Sequence, residues 1–423
     1  MASDVQWFER SLGEVTVNHD GKRRPVKESE RKGGPYPYYG ASGIVDYVDG
    51  YIFEGLHLLI AEDGENLRTR QTPIAFMADG KFWVNNHAHI VTGNSEVTTK
   101  YLNYFLQNAD IQSYLTGAVM PKLTQGNLNR IPVRYPEPAY QSAIVRVLAA
   151  LDDKIDLNRR INQTLETMAQ AIFKSWFVDF DPVKAKIAAK QEGRDPLRAA
   201  MSAISGKPDA ELDALPPEQY AQLAATAALF PDEMEESELG EIPKGWKAKK
   251  FGDFIDRISV GKKFDQKTAL VEGLVPILDQ GKSGIIGFHN ESPGVRASLE
   301  KPIVVFANHT CYMRLITFDF SAIQNVLPFV GKDVDTVWAY YATKDAVKFS
   351  EYKGHWPDFV LANAVVPQAN LTVHFRKILQ PLISQMRSLE LESEKLAVLR
   401  DTLLPKLLSG ELSVAATTAE AEA

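Results

Sequence analysis

The chain contains the stretch YGASGIV at residues 39–45, and a diverged copy of it, QGKSGII, lies at residues 280–286. The surrounding residues recur as well: Trp7 with Leu12-Gly13-Glu14 returns as Trp246 with Phe251-Gly252-Asp253, Val84-Asn85-Asn86 as Ile323-Gln324-Asn325, and Gly117 as Gly354. The offset falls from 241 residues at this stretch (280 against 39) to 231 at a later helix (375 against 144), as small loop insertions and deletions would produce.

This internal duplication predicts the architecture. A repeat of this length indicates one folding unit used twice. Two similar but diverged halves predict a pseudo-twofold molecule with two related, non-identical recognition faces.

Composition limits the class of protein. The chain has 423 residues, enough for two or three domains, and 45% of them are apolar. Its one cysteine, Cys311, excludes an intramolecular disulfide and disfavours a cysteine-based zinc site. The charged N-terminal segment does not resemble a signal peptide, and no apolar run is long enough to span a membrane. We therefore expect a cytoplasmic location.

The acidity of the chain is local. Residues 181–240 hold 6 Lys/Arg and 12 Asp/Glu, so they supply −6 of the net charge of −7. The repeats are close to neutral, with 14 basic and 16 acidic residues in 1–140 and 16 and 14 in 241–373. Either repeat could therefore present a basic face to nucleic acid.

Both repeats have the pattern of a mixed α/β globule. Strand-like runs lie at 52–53, 58–60, 74–76 and 82–84 in the first repeat and at 303–306 in the second. Short helices are predicted at Thr99–Asn108 and near Thr336–Tyr341.

A long amphipathic helix closes each repeat. From Gln141 to Phe177 it would be about 55 Å long. Its apolar seam repeats every seven residues. The seam residues of the first helix are Ile144, Leu148, Leu151, Ile155, Asn158, Asn162, Leu165 and Trp176, and those of the second are Leu382, Met386, Leu389, Leu396 and Leu403. Gly410 predicts the end of the second helix, and Pro381 predicts either its start or a kink.

The two seams are expected to bury each other in antiparallel orientation, because an isologous pairing reverses direction. Asn158 and Asn162 would then fix the register, although an exposed polar patch without that role is an equally good interpretation. Residues 181–240 form an acidic, partly helical connector, long enough to run back along such a spacer. Residues 413–423 are expected to be a disordered tail.

Three motifs resemble those of type I restriction–modification specificity subunits. They are FKSWFVDFDPV at 173–183, SELGEIPKGW at 237–246 and LRDTLLPKLLSGEL at 399–412. The resemblance covers essentially the whole chain, including the spacing of its parts.

The resemblance implies an α/β (α+β) fold in which two target-recognition domains, at 1–140 and 241–373, are separated by two antiparallel spacer helices, at 141–180 and 374–412. Each domain would read one half of a bipartite double-stranded DNA site, and the helices would dock modification subunits. The chain itself would carry no catalysis. S-adenosylmethionine is expected on the modification subunits, and ATP and Mg²⁺ on a restriction subunit.

DNA-contact candidates come from basic, glycine-containing and amide-containing loops. In the first repeat they are Lys22, Arg23, Arg24, Tyr39, Gly40, Ser42, Asn85, Asn86, His87 and Lys122. In the second they are Lys262, Lys263, Gln280, Gly281, Lys282, Ser283, His309, Arg314, Lys353 and Trp356. For each, a structural role competes: a tight turn for the glycine loops, a solvated turn for the lysines, and an ion-paired strand residue for Arg314.

Catalytic signatures are incomplete. The segment Gln280–Ser283 resembles a phosphate-binding loop, but Pro276 stands where that motif requires its first glycine. His87 and His89 have no obvious partner carboxylate for a metal. Two alternatives to a DNA reader nevertheless stay open: a coiled-coil scaffold that binds only protein, and a nuclease or methyltransferase with a dispersed site.

Overall fold

The computed structural model describes residues 5–281, 284–351 and 353–414, which divide into two compact units. The first unit comprises residues up to 158 together with those from 392 onward, and the second comprises residues 159–391. The predicted tail at 413–423 falls outside the described residues from 415 onward.

The first unit contains a mixed α/β domain. Its strands are β1 Trp7–Ser11, β2 Thr16–Asn18, β3 Tyr36–Gly40, β4 Gly43–Val48, β5 Phe53–Glu54, β6 His57–Ala61, β7 Ala75–Ala78, β8 Lys81–Val84, β9 Ala88–Gly93 and β10 Pro132–Pro136. Its helices are α1 Leu12–Val15, α2 Asn66–Thr69, α3 Thr99–Asn108, α4 Gln125–Asn129 and the first half of α5 Pro138–Phe177. The predicted helix at Thr99–Asn108 and the predicted strands are confirmed.

Two four-stranded sheets form the body of this domain. Their orders are β2-β9-β6-β7 and β4-β3-β8-β5, and β1 pairs with β10. In the second sheet β3 and β8 run parallel while their outer neighbours are antiparallel. Between the sheets lie buried side chains such as Leu59, Phe82 and Ile90.

The second unit holds the connector and the second domain. The connector contains α6 Asp181–Gln191, α7 Pro196–Ser205, α8 Asp209–Leu212, α9 Pro217–Ala228 and the hairpin of β11 Met234–Ser237 with β12 Gly240–Pro243. The domain contains β13 Lys247–Lys250, α10 Phe251–Phe254, β14 Ile255–Arg257, β15 Lys263–Phe264, β16 Val275–Leu278, β17 Ile285–His289, β18 Ile303–Ala307, β19 Met313–Ile316, β20 Ser321–Ile323, β21 Val326–Gly331, α11 Thr336–Thr343, α12 Trp356–Leu361 and β22 Asn363–Val366, followed by α13 Ala369–Ser409.

The second domain repeats the topology of the first with one rearrangement. Its sheets have the orders β14-β21-β18-β19 and β15-β20-β16-β17, and β13 pairs with β22. In the first domain the edge strand next to β8 is β5, which follows the β3–β4 hairpin and runs antiparallel. In the second domain the corresponding edge strand is β15, which precedes the hairpin and runs parallel to β20. The duplication therefore preserves the central strands and changes an edge.

In each unit a segment of α5 packs against a segment of α13 in antiparallel orientation. In the first unit Asp152 pairs with Arg400 at 2.8 Å, and Asn158, further along α5, donates to Ser393, earlier on α13. In the second unit the Asn162 amide donates to the carbonyl of Met386 at 3.2 Å. The predicted antiparallel seam is confirmed within each unit.

The start predicted for the second long helix at Pro381 is wrong. The α13 helix begins at Ala369 and continues through Pro381 and Pro405. Both proline rings lie on the exposed side of the helix, where water can solvate the carbonyl that a proline leaves without a hydrogen-bond donor. The helix ends at Ser409, and Gly410 follows with a positive φ of 78°, as predicted.

The connector does not run back along the helices. It folds on itself around buried Ala200, Met201 and Leu212. Phe180 at its start and Phe230 near its end lie in one core, so the connector begins and ends at the same place. Short helices in the alanine-rich segment favour this compact arrangement over an extended tether.

One glycine position recurs in both domains for a steric reason. Gly93 and Gly331 end equivalent strands, and each amide donates to the hydroxyl of a threonine, Thr99 or Thr336. A Cβ on Gly93 would lie 1.9 Å from the carbonyl oxygen of Val97, and one on Gly331 would lie 2.4 Å from an equivalent carbonyl. Only glycine lets the chain turn back here into the following helix.

We predict that Gly93→Ala and Gly331→Ala each lower the free energy of unfolding by about 1–3 kcal/mol, because the neighbouring backbone must move to admit the methyl group. Gly126→Ala is the matched control, since no atom lies within 4 Å of a Cβ there. Calorimetric unfolding of the three variants provides the measurement. Wild-type stability in Gly93→Ala would contradict the steric explanation.

Candidate nucleic-acid interface

Buried charged side chains connect the first loop of the first domain to its central sheet. His89 is 1% exposed, and its Nδ1 lies 2.5 Å from Asp20 Oδ2 while its Nε2 lies 2.7 Å from the carbonyl oxygen of Leu123. Both ring nitrogens of His89 therefore lie within hydrogen-bond distance of an oxygen. Arg23 donates to Glu62 Oε2 at 2.6 Å, which compensates this partly buried carboxylate.

These contacts shift the pKa of both carboxyl groups. Burial raises the pKa of Asp20, but hydrogen bonds from His89 and the Ile90 amide outweigh it, so the net pKa lies below 3.8. Burial likewise raises the pKa of Glu62, and the hydrogen bond from Arg23 and the charge of His89 reverse the shift. Both groups are therefore ionised in the folded domain at neutral pH.

Of the basic triplet at 22–24, only the outer two residues are exposed. Lys22 ends a 3₁₀ turn, Asp20–Lys22, and faces solvent. The side chain of Arg24 is exposed, and its carbonyl accepts a hydrogen bond from Trp83 at 2.6 Å. The Arg23 side chain is 16% exposed and donates to Glu62 and to the carbonyl of Ala88. The guanidinium N–H groups of Arg23 already donate within the domain. The phosphate contact predicted for Arg23 is therefore corrected to an internal structural role.

Lys122 is half exposed. Its Nζ lies 3.1 Å from Glu62 Oε1, and one face of the ammonium stays open to solvent. The structure brings it near His87, because Asp63 contacts both the Lys122 backbone, through an isolated bridge, and the His87 Nδ1 at 2.8 Å. These two candidates therefore belong to one surface.

The glycine hairpin of the first domain is a tight turn between β3 and β4, in which Gly40 pairs with Gly43. Ser42 at its tip is exposed. Tyr39 lies in β3, and its ring packs against Phe76 and Phe82 with centroid distances of 5.8 and 5.7 Å. Burial raises the pKa of Tyr39. The turn therefore presents Ser42, while Tyr39 serves the core.

The corresponding hairpin of the second domain is two residues longer. Tyr39 pairs with Ile44 in the first domain, and Leu278 pairs with Ile285 in the second. Four residues separate the first pair and six the second, so the match of Gly40 with Gly281 is wrong: Gly40 corresponds to Asp279. Lys282 and Ser283, both predicted contacts, lie outside the described residues.

The asparagine match between the repeats is off by one residue. Backbone bonding places Asn325 opposite Asn308 in the second domain as His87 lies opposite Glu62 in the first. Asn325 has a positive φ of 70° and is a turn residue. Asn85 accepts a hydrogen bond from the His87 amide at 2.8 Å, which also makes it a turn residue.

Two of the candidates in this turn are open to solvent. The side chains of Asn86 and His87 are exposed next to Asn85. Both can therefore reach a ligand, whereas Asn85 is committed to the turn.

Three loops of the second domain are hydrogen-bonded to one another. Gln280 Oε1 accepts from the His309 amide at 3.0 Å, and the carbonyl of Gln280 accepts from Thr310 Oγ1 at 2.6 Å. The ring of His309 in turn contacts the carbonyl of Lys353 through Nδ1 at 2.9 Å. The Gly281 amide donates to Asp279. The structure brings these candidates together, with several polar groups used to join the loops.

Several second-domain candidates have local partners. Lys262 pairs with Glu291 and lies over the Phe264 ring, whereas neighbouring Lys263 is exposed on β15. Lys353 contacts two carboxylates, and the hydrogen bond that its ammonium donates to Glu351 raises its pKa.

Trp356 is a packing residue. Its ring lies 5.3 to 6.1 Å from those of Phe306, Phe329 and Phe359, and its amide donates to Asn308. The prediction that it contacts DNA is corrected, because the aromatic core takes up the ring.

Arg314 occupies the position of Phe76. Leu59 pairs with Phe76 in the first domain, and Val305 pairs with Arg314 in the second. The guanidinium packs against Gly284 at the base of the long hairpin, where a Cβ would lie 1.9 Å from Nη1. Arg314 therefore packs against the base of this hairpin.

The chain resembles known proteins along most of its length. Residues 4–167 match the type I restriction modification DNA specificity domain. The HindI specificity subunit of Haemophilus influenzae is 29% identical over 352 residues, covering 75% of this chain and 76% of that protein. The MjaIX specificity subunit of Methanocaldococcus jannaschii is 23% identical over 459 aligned positions, covering 96% and 92%.

The chain is therefore similar to type I restriction–modification specificity subunits along most of its length. A crystal structure of the type I S subunit from M. genitalium has the same fold, with a TM-score of 0.50 at 14% identity over 96% of this chain and 97% of that one. The predicted α/β fold with two domains and two long helices is thereby confirmed.

Two further findings concern membrane-spanning helices and metal sites. Within the described residues no helix is long and apolar enough to cross a membrane, and no group of three or more His, Cys, Asp and Glu side chains is arranged to hold a metal ion.

Sequence reasoning selected Lys122 but missed the exposed apolar tip of its hairpin, residues 116–122. Val119 at this tip is 95% exposed and Met120 is 63% exposed. A run of small and apolar residues around Gly117 is typical of a core segment, so only the structure reveals that the chain projects them into solvent.

We predict that Asp20→Asn destabilises the protein by on the order of 3 kcal/mol at neutral pH, because it removes the buried carboxylate that contacts His89, Arg23 and the Ile90 amide. The folded pKa of Asp20 is depressed, so its stabilisation is present above 3.8 and is lost as the pH falls through the folded pKa. The difference from wild type should therefore shrink below pH 3.8.

Denaturant unfolding across the acid range measures this difference. Asp79→Asn, at an exposed turn, is the control and should match wild type at every pH. An Asp20→Asn deficit that is unchanged in acid would argue against the ionised Asp20 carboxylate as its cause.

Proposed function

We propose that this chain is the DNA sequence-specificity subunit of a type I restriction–modification complex, and that each domain reads one half of a bipartite, asymmetric site. One observation carries the proposal: the same fold occurs twice with its central strands retained and its polar hairpin loops altered. Two different readers on one framework suit two different half-sites. A repeat that served only stability would have no reason to lengthen one hairpin by two residues.

The exposed candidates have the chemistry for this task. Lys22, Arg24 and Lys263 are solvent-exposed cations that can neutralise phosphates. Asn86 and His87 can hydrogen-bond base edges from the same surface of the first domain. Direct reading needs both kinds of group, since phosphate contacts position a protein and base contacts provide specificity.

The long helices have exposed apolar side chains that fit a docking role for modification subunits. On the first unit these include Leu157, Val398 and Leu399, and on the second Met168 and Leu391. We propose that two modification subunits bind along these helices and that a restriction subunit joins the assembly. Catalysis then belongs to the partners, with S-adenosylmethionine on the modification subunits and ATP with Mg²⁺ on the restriction subunit.

We predict that the host methylome contains one bipartite motif that disappears when this chain is deleted. Replacing residues 241–373 with those of another specificity subunit should change one half-site and leave the other intact. Single-molecule sequencing of methylated bases reports both results. A contiguous motif, or a change of both halves after the exchange, would reject independent reading by the two domains.

We also predict that Lys22→Ala with Arg24→Ala weakens DNA binding by the assembled complex on all sequences alike. The slope of log affinity against log salt should fall by about 2, one unit for each phosphate that is no longer neutralised. Lys207→Ala, an exposed lysine of the connector, is the control and should leave the slope unchanged. A sequence-dependent loss in the double variant would instead assign these side chains to base edges.

A further inference from the structure

The hairpin at 116–122 of the first domain holds apolar side chains rigidly in solvent. Thr116 and Lys122 exchange two backbone hydrogen bonds of 2.8 and 2.7 Å that close its base. Gly117 has a positive φ of 87°, and a Cβ there would lie 2.1 Å from the carbonyl oxygen of Met120. The tight turn therefore forces Val119, which is 95% exposed, to the tip.

Further contacts immobilise this hairpin on the domain. Arg68 Nη2 donates to the carbonyl of Gly117 at 2.7 Å, and the Gly64 amide donates to the carbonyl of Pro121 at 3.1 Å. The Leu123 amide donates to the carbonyl of Glu62 at 2.8 Å. Because its backbone is fixed at the base and on one side, the hairpin cannot fold back to bury its tip.

The second domain presents an apolar side chain from the corresponding loop. His355 donates its amide to the carbonyl of Asn308 at 2.9 Å, which is the counterpart of the bond between Leu123 and Glu62. In the loop that precedes it, Phe349 is 57% exposed. The same loop of the fold thus projects apolar groups twice, with different residues each time.

Cations flank both tips. In the first domain these are Arg68 and Lys122, each of which also contacts a glutamate. In the second, Lys348 is exposed next to Phe349, and Lys353 pairs with Glu351 and Asp358. Because nearby carboxylates neutralise these cations only in part, the cations can still attract a polyanion to the tips.

We infer that these loops read thymine: Val119 and Met120 in the first domain, and Phe349 in the second, contact thymine C5-methyl groups in the major groove. The inference rests on the proposed function, since it assigns the DNA chemistry of two specific loops. An apolar tip of one or two side chains is far smaller than the ~1,000 Å² that a stable protein interface requires. It does match a single methyl group, which is the apolar feature that distinguishes thymine from the other bases.

Replacement of each thymine of the half-sites by deoxyuridine tests the inference with the complete complex of this chain and its modification subunits. Uracil lacks only the methyl group. Wild-type complex should lose about fivefold or more in affinity at one thymine of each half-site. The double variant Val119→Ser with Met120→Gln should bind the thymine duplex about as weakly as wild type binds the uracil duplex, because serine lacks the methyl groups of valine. It should show no additional loss with uracil in the same half-site, and Phe349→Ser should behave in the same way for the other half-site.

Matched controls separate this contact from a general loss of apolar surface. Val17→Ser and Val271→Ser make the same change at exposed positions outside the two loops, where the side chains are 49% and 92% exposed. Both should keep wild-type affinity and wild-type sensitivity to uracil. If they lose the sensitivity too, or if Val119→Ser with Met120→Gln keeps it, the inference is overturned.

Other binding partners of the tips would give different experimental results. A rise in 2-aminopurine fluorescence that depends on Val119 and Met120 would mean that the tip separates stacked bases. Weaker assembly of the variants with modification subunits would mean that the tip contacts protein. Either outcome overturns the inference that the tip reads a methyl group. If wild type methylates a bipartite motif but ignores uracil, only this inference fails. If no bipartite motif exists, the proposed function fails first.

Discussion

Both units depend on two helical segments that complete the core of a sheet-containing domain. In the second unit Phe173, Trp176 and Phe375 pack together, and the same core contains Trp246 at the start of the domain. In the first, Ile144 of α5 lies in one core with apolar residues near the end of α13. Each large apolar side chain buried in this way contributes roughly 1.5–3 kcal/mol. The helices are therefore part of the core of each domain and not separable additions to it.

Polar contacts then fix how the helices are rotated and aligned. Arg400 and Tyr104 both reach Asp152 in the first unit, at 2.8 and 2.7 Å. Glu166 accepts from Tyr341 in the second, in a contact that joins α5 to the domain's own helix. A partly buried carboxylate is stable only when such partners compensate its charge. Sliding one helix along the other would therefore leave the charge uncompensated. Apolar burial provides the stability of this arrangement, and the charged pairs specify its register.

Periodicity in the sequence was sufficient for the long helices and for most strands, because helical and strand patterns are local. The roles of site residues depend on distant partners. Arg23 meets Glu62, 39 residues away, and no local pattern indicates that pairing. The hairpin match failed by two residues because register is set by pairing across β3–β4 and β16–β17, and each pair contains an irregularity next to the turn. The continuation of α13 through Pro381 likewise depends on which side of the helix faces water.

The two domains differ in sequence at positions where backbone atoms make the contact that both domains share. The residue after β6 and the residue after β18 accept the same backbone hydrogen bond, yet the first is Glu62 and the second is Asn308. Glu62 joins a buried charge network, whereas Asn308 uses its amide oxygen to hold the Trp356 amide at 2.9 Å. Since the backbone carbonyl makes the same contact in both domains, either side chain preserves that contact. A duplicated fold anchored in this way can change its loop chemistry in one domain without disturbing the core that both domains need.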